Sequence, residues 1–349
     1  MNRHQLYLPS KWKRAQSNGV GSVSAIAYYF ANTLEQNTHI PTAIIVNTIG
    51  GSPTEAWIRY NTLTHDANTY DFFVNWKGSN GVDSWVKSRA AKNTSKATNP
   101  HQQHPYHASY LYQTSMEMLS KYPISGVLWY QGESNAENPE MFAHLFNTLK
   151  EDWRSAYARP QLPFYYVQLS GLNRPSWSYI RNVQTELDRQ DPYAHMVVSY
   201  DYGNANNVHP TNKQPIGERL AKQALYFTYN KRSVTPYGPL LEKIEQKDSQ
   251  LIVSFEYGKG LHPKEGKEVI GFEIAGEDRI FHPAQTSIKG DKVILINSKV
   301  TSPKYARYAW APYTKANLVN GAGLPCPTWN TLYMTTDKHL FVGDMKDKR

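Results

Sequence analysis

The chain has 349 residues, of which 40% are hydrophobic and 19% charged, proportions that exclude a disordered polymer and suffice for a large core. The formal charge is +9, but Lys11, Lys13 and Arg14 form one small cluster and Lys87, Arg89, Lys92 and Lys96 are scattered, so no stripe suited to nucleic acid is present. A single cysteine, Cys326, excludes an internal disulfide and a Cys-rich metal site, and no apolar run reaches the roughly 18–20 residues that span a bilayer.

In chain order, the first fourteen residues lack the apolar stretch of a signal peptide, so the chain as given reads as cytoplasmic. Ser22 or Ser24 caps a helix predicted to reach about residue 36. The apolar run 42–49, ending in Gly50-Gly51, predicts a buried strand, and the Asn-, Lys- and Ser-rich stretch 75–105 predicts a long loop. A helix follows over 110–121 and a second buried strand over 124–130. Asn138 and Pro139 are a cap and first-turn pair. Behind them Met141, Phe142, Leu145, Phe146, Leu149 and Trp153 recur at helical spacing. Runs 164–169 and 196–200 predict strands, with a helix between them marked by Ile180, Val183 and Leu187. A last helix is predicted over 214–229. This alternation implies a parallel sheet covered by helices on both faces. From about residue 234 short strand-like runs and the turn Gly290-Asp291 predict an all-β tail. The expected division is 1–233 and 234–349.

Ligands of such sheets bind beyond the carboxyl ends of the strands, and three loops there carry chemistry. In Gly50-Gly51-Ser52-Pro53-Thr54-Glu55-Ala56-Trp57 the paired glycines allow close backbone approach, and the Gly51 amide is a candidate oxyanion donor. In Trp129-Tyr130-Gln131-Gly132-Glu133-Ser134-Asn135-Ala136 three readings compete. Gln131 and the Gly132 amide can donate into a site. Gly132-x-Ser134-x-Ala136 can be a degenerate nucleophile elbow with Ser134 attacking. Or the segment is a polar turn ahead of the next helix. The third loop holds Asp201 and Asn206-Asn207-Val208-His209-Pro210, where His209 is a candidate general base. His101, His104 and His107 show no regular metal spacing, so no metal is assigned. Cys326, between two prolines and far from these loops, reads as structural.

The strings GGSPTEAW, VLWYQGESNA and NVHPTNKQPIGERLA, in that order, resemble the sialate O-acetylesterase family of SGNH hydrolases. HPYHASYLY and RYAWAPYTKANLVNGAGLP also match its style. The resemblance implies an SGNH-type α/β fold and a serine esterase that removes O-acetyl groups from sialic acids without metal or organic cofactor. It implies His209 as base, Gly51 and Gln131 as oxyanion donors, and Glu133 as a polar support of its loop. The expected ligand is a small O-acetylated sugar rather than nucleic acid or membrane. Arg59, Arg174 and Arg181 are candidates for its carboxylate. Family members are often secreted or periplasmic.

Two positions depart from the family pattern. Where an acidic residue usually precedes the histidine stand Asn206 and Asn207, so Asp201 serves only if its loop folds back. The family's Gly-Gln-Ser-Asn block has one counterpart, Ala15-Gln16-Ser17-Asn18, close before the first helix and without an apolar strand ahead of it. Ser17 is therefore a nucleophile candidate whose match reads as accidental, and the expectation is a chain truncated at its N-terminus. A catalytically inactive sugar-binding remnant, or a subunit completed by a separately encoded N-terminal segment, are the alternatives.

Overall fold

The computed structural model describes residues 11–15, 20–99 and 102–334. At its centre β1 (Val127–Trp129), β2 (Phe164–Val167) and β3 (Ala194–Val197) form a parallel sheet in the order β1-β2-β3. Phe164 lies opposite Val127 on one side and Ala194 on the other. Every residue of β2 and β3 is buried, as expected of parallel strands covered on both faces.

Alternation along β2 sends Tyr165 and Val167 to one face and Phe164 and Tyr166 to the other. The first face receives Phe30 and Leu34 of α1 (Ala25–Thr38), and the part of the last helix that carries Leu220, Ala221 and Ala224. The second face receives a larger core that includes Phe142, Leu145, Phe146, Leu149, Ile180 and Leu187. Ser24 caps α1 by accepting from the Ala27 amide at 3.4 Å.

Helix α2 (Ser84–Thr94) occupies the stretch expected to be a loop. It buries Val86 and Ala90, one turn apart, while its Lys and Asn side chains face outward, so the polar composition hid a narrow apolar edge. Helix α3 (Pro139–Ala156) starts as its sequence requires, with Asn138 Oδ1 accepting from the Met141 amide at 3.1 Å. Helices α4 (Trp177–Gln190) and α5 (Gln214–Phe227) complete the layers. The 110–121 segment is helical but widens into a π-turn over Tyr112–Met116.

The expected strand 42–49 is not formed. The segment has no regular secondary structure and pairs with no described strand. Ile44 and Ile49 pack inward, while Ile45 and Val46 are exposed. Its apolar run is thus shared between two cores and solvent, which a reading of hydrophobicity alone does not separate.

Beyond α5 the chain is all β. One antiparallel sheet contains Leu240–Lys247, Gln250–Glu256, Lys292–Ile296 and Gln285–Lys289 in spatial order, and a second is built around Phe272–Ala275 and Tyr305–Tyr308. Val253, Phe255, Val293 and Leu295 share a core with Phe272, Ile274 and Tyr308. Gly290 takes φ +64° in the tight turn before Lys292, a conformation that favours glycine. Cys326 is buried in this core, and burial pushes its thiol up, which keeps it protonated and inert.

This β region is fastened to α4. The buried Arg181 guanidinium donates to the carbonyls of Ala309, Ala311 and Pro312 at 3.0, 2.6 and 2.7 Å. Thr185 Oγ1 donates to Thr328 O at 2.7 Å. Arg181 is therefore structural and not a substrate ligand. Arg59 is likewise committed, to Asp152 on α3 at 2.7 Å. No helix among the described residues is long and apolar enough to cross a membrane.

Candidate active site

Loops 50–57 and 129–136 meet beyond the carboxyl end of β1 and interlock. Asn135 is the hub. Its Oδ1 accepts from the Thr54 amide at 2.9 Å, from Thr54 Oγ1 at 3.0 Å and from Gln131 Nε2 at 2.8 Å. Its Nδ2 donates to Glu55 Oε2 at 2.9 Å. Thr54 Oγ1 also lies 2.7 Å from Gln131 Oε1, and Gln131 Nε2 donates to Ser52 O at 3.3 Å. The Trp57 indole donates to Ser52 Oγ, and the Trp153 indole of α3 donates to Trp57 O, both at 2.9 Å.

Two expectations change here. Ser134 is not placed as a nucleophile: it is buried, and its hydroxyl donates to the Gly51 carbonyl at 2.9 Å, tying one loop to the other. Gln131 was expected to donate into the site, but its amide nitrogen is already bonded to Ser52 O and Asn135 Oδ1, which leaves that side chain a positioning group. Gly51 and Gly132 both take positive φ. Gly51 has φ +75°, and a Cβ there would lie 2.4 Å from the Tyr106 hydroxyl and 2.7 Å from the Trp85 ring. Gly132 has φ +144°. Neither amide donates a hydrogen bond to a described residue; Gly51 is exposed, while Gly132 is buried.

The histidine loop joins the same rim by backbone contacts. The Asn204 amide donates to Gly171 O, and the Asn173 amide, in the loop after β2, donates to Ala205 O, both at 3.0 Å. Gly203 is pressed so closely on Gly171 that a Cβ would sit 2.3 Å from its nitrogen. Val208 packs on the core that also takes Ile49 and Tyr130, and Lys213 Nζ stands 5.5 Å from the centroid of the Tyr130 ring. His209 itself is exposed. Asn207 Oδ1 accepts from the His209 amide at 2.9 Å, so Asn207 shapes the turn rather than holding the ring.

Asp201 does not fold back toward His209. Its carboxylate is bidentate with Arg219 of α5 at 2.8 and 2.7 Å and also meets Lys264 at 3.0 Å. Those cations, against the cost of burial, hold it below the usual carboxylate range. It is an ion-pair anchor between α5 and the β region. Ser17 and His101 lie outside the described residues. Among the described residues no group of three or more His, Cys, Asp or Glu side chains is placed to hold a metal ion.

The comparisons with known proteins fit this geometry. Residues 6–226 match the family model described as carbohydrate esterase, sialic acid-specific acetylesterase. The chain belongs to that family. Sialate O-acetylesterase of Homo sapiens is 26% identical over 334 residues, covering 87% of this chain and 60% of its own length. The Mus musculus enzyme is 24% identical, covering 86% and 62%. This acetylesterase-family chain thus spans less than two thirds of the length of those relatives. The crystal structure of a carbohydrate acetylesterase from Xanthomonas citri superposes with a TM-score of 0.75 at 28% identity, covering 97% of this chain and 71% of that one.

Electrostatics separates the two sides of this candidate site in the acetylesterase-family chain. Burial lifts Glu55 to about 8, opposed by the Asn135 hydrogen bond and assisted by the charge of Asp83. One Glu55 oxygen has no partner, as suits a neutral acid. Burial lifts Asp83 to about 7, opposed by the Glu137 amide, which donates to it at 3.2 Å, and by Arg174. Burial also raises Glu133, while Lys213, His209 and Arg174 act on it in the opposite sense. The sequence reading does not single out Thr54, Glu55 or Asn135, although Thr54 and Glu55 stand in the first of these strings and Asn135 in the second; their partners lie about 80 positions away, so no local signal marks them.

Proposed function

We propose that this chain is a carbohydrate esterase that removes O-acetyl groups from sialic acids, with His209 as the general base and Ser17 as the nucleophile. The observation that carries this reading is the meeting of loops 50–57, 129–136 and 201–210 at one rim of the parallel sheet, in a chain of the acetylesterase family. Ser17, whose match to the family block the sequence alone reads as accidental, is proposed here for its position in the chain ahead of α1, whose packing is described. A Cβ on Gly217, in the first turn of α5, would lie 2.6 Å from Ile26 O and 2.7 Å from Tyr29 Cβ. The first turn of α1 therefore abuts the first turn of α5, and the loop entering α5 bears His209. Ser17 precedes α1 by a few residues and falls within the matched 6–226 stretch. The Ser134 hydroxyl is already engaged.

In this reading the Ser17 oxygen attacks the acetyl carbonyl carbon while the His209 imidazole takes the hydroxyl proton. The amides of Gly51 and Gly132 receive the tetrahedral oxyanion. As the bond to the sugar oxygen breaks, His209 returns the proton to that oxygen. A water then attacks the acetyl-serine by the same route and acetate leaves. Arg174 is the side chain we assign to the sialic acid carboxylate. The Asn173–Ala205 backbone bond sets it beside the histidine loop, and its guanidinium lies 4.8 Å from the Trp177 ring centroid without an ion pair to a described residue.

The test is acetate release from O-acetylated sialic acid and from a chromogenic acetate ester by the purified chain. Turnover lost in both Ser17→Ala and His209→Ala supports the reading. Sialic acid binding without turnover points to the sugar-binding remnant. Turnover that appears only on co-expression with a separately encoded N-terminal segment points to the two-piece enzyme.

A further inference from the structure

A cavity of about 290 Å³ lies where the start of α4 meets the β region, bordered by Tyr179, Arg279, Arg307, Trp310, Asn330 and Tyr333. Its volume is at the lower edge of the roughly 300–1,000 Å³ typical of small-ligand sites. Three of its walls are aromatic and mutually braced. Trp310 and Tyr333 stack at 5.6 Å, and Tyr179 meets them edge-on at 5.1 and 5.5 Å. Tyr179 and Tyr333 remain 43% and 49% exposed, so the apolar wall is open to a ligand.

The polar groups are unequal. Arg307 is spent: it is bidentate with Glu273 at 2.8 and 3.0 Å and stacks on Phe281 at 4.1 Å. Arg279 makes no ion pair with a described residue and is exposed at the mouth, on a backbone with φ +60°. Asn330 is 1% exposed; its Oδ1 accepts from the Leu332 amide, but its Nδ2 has no partner. A buried amide N–H left unpaired carries a desolvation cost that a ligand acceptor removes.

We infer that this cavity is a second sugar subsite, taking a carboxylated sugar whose C–H face lies on Tyr179 and Tyr333, whose carboxylate meets Arg279, and one of whose oxygens accepts from Asn330. Aromatic faces against sugar C–H groups supply apolar contact with defined orientation, and a free guanidinium matches a carboxylate. Tyr179 is in the first turn of α4, five positions after Arg174 in the chain, and a subsite there suits a second acidic residue of an oligosaccharide. The inference deepens the esterase reading by extending its substrate beyond one sugar.

The experiment is calorimetric titration with a sialoside that carries no O-acetyl group, on the full chain and on Arg279→Gln and Tyr179→Ala, with a neutral methyl glycoside as control. Both positions are exposed, and circular dichroism confirms their fold. The expected result is two sialoside sites in the wild type and one in either variant, the lost site weakened about tenfold or more, with the neutral glycoside bound at least as much more weakly. Hydrolysis of a monomeric acetyl ester stays unchanged in both variants. An unchanged sialoside titration in both variants overturns the subsite even if the chain is an active esterase. A site removed by Arg279→Gln in a chain that hydrolyses nothing upholds the subsite while the esterase reading falls.

Discussion

Loops 50–57 and 129–136 hold each other through buried hydrogen bonds between residues as far as 81 positions apart, whereas loop 201–210 shapes itself with turns two residues wide and presents an exposed imidazole. In the first pair, Asn135 alone joins Thr54, Gln131 and Glu55. In the second, Asn204 and Asn207 spend their side chains on their own turn. The difference teaches a division of labour. The side that would stabilise developing negative charge is preorganised, so it costs little to reorganise during reaction. The side that would move a proton ends in an exposed imidazole, and loss of that ring alone is expected to leave the fold intact.

The sharpest way to break this comparison is His209→Ala. The account expects acetate release to fall about 10²–10⁴-fold, with thermal stability within about 0.5 kcal/mol of wild type. A large stability loss would make the histidine structural. Asn135→Ala, read by activity and chemical denaturation, is expected to damage both. It leaves the Thr54 amide and Glu55 Oε2 without a partner, while Gln131 keeps Ser52 O and Thr54 Oγ1 keeps Gln131, and buried groups left unpaired cost about 1–3 kcal/mol each. If it unfolds no more easily than His209→Ala, the two sides are not built differently.

Arg174→Gln sharpens the comparison on the substrate side. KM for an O-acetylated sialic acid is expected to rise about tenfold, with KM for an uncharged acetyl ester unchanged. Equal effects on both substrates would remove Arg174 from carboxylate recognition.

A further expected effect is on pH dependence. A carboxyl raised by folding keeps its proton more tightly folded than unfolded, so the stability it brings is fully present below its ordinary value and is lost as pH rises through its folded value. For Glu55 that window runs from 4.5 to about 8, and Asp83, raised from 3.8 to about 7, adds in the same sense. The melting temperature should therefore decline between about pH 5 and 8.5. Glu55→Gln should flatten that decline, because the neutral amide oxygen still accepts from Asn135. An unaltered slope would show that Glu55 ionises freely.

The layered fold was legible where local chemistry and period agreed, as at Asn138-Pro139 ahead of the apolar face of α3. It was illegible where tertiary surroundings decided. Helix α2 needed only Val86 and Ala90 for its buried edge, and Ile45 and Val46 face solvent despite their apolar run. In the site, the two glycines and the histidine loop announced themselves through turn chemistry and motif. Asn135 and Glu55 did not, because their partners are distant in sequence. Asp201 misled for the same reason: its proximity to His209 in sequence concealed the Arg219 and Lys264 that claim it.

Covalent labelling with a serine-reactive fluorophosphonate, followed by peptide mapping, tests the proposed chemistry most directly. The account predicts one labelled residue, Ser17, with labelling abolished in His209→Ala although that variant remains folded. A label on Ser134, or undiminished labelling without the histidine, would contradict it.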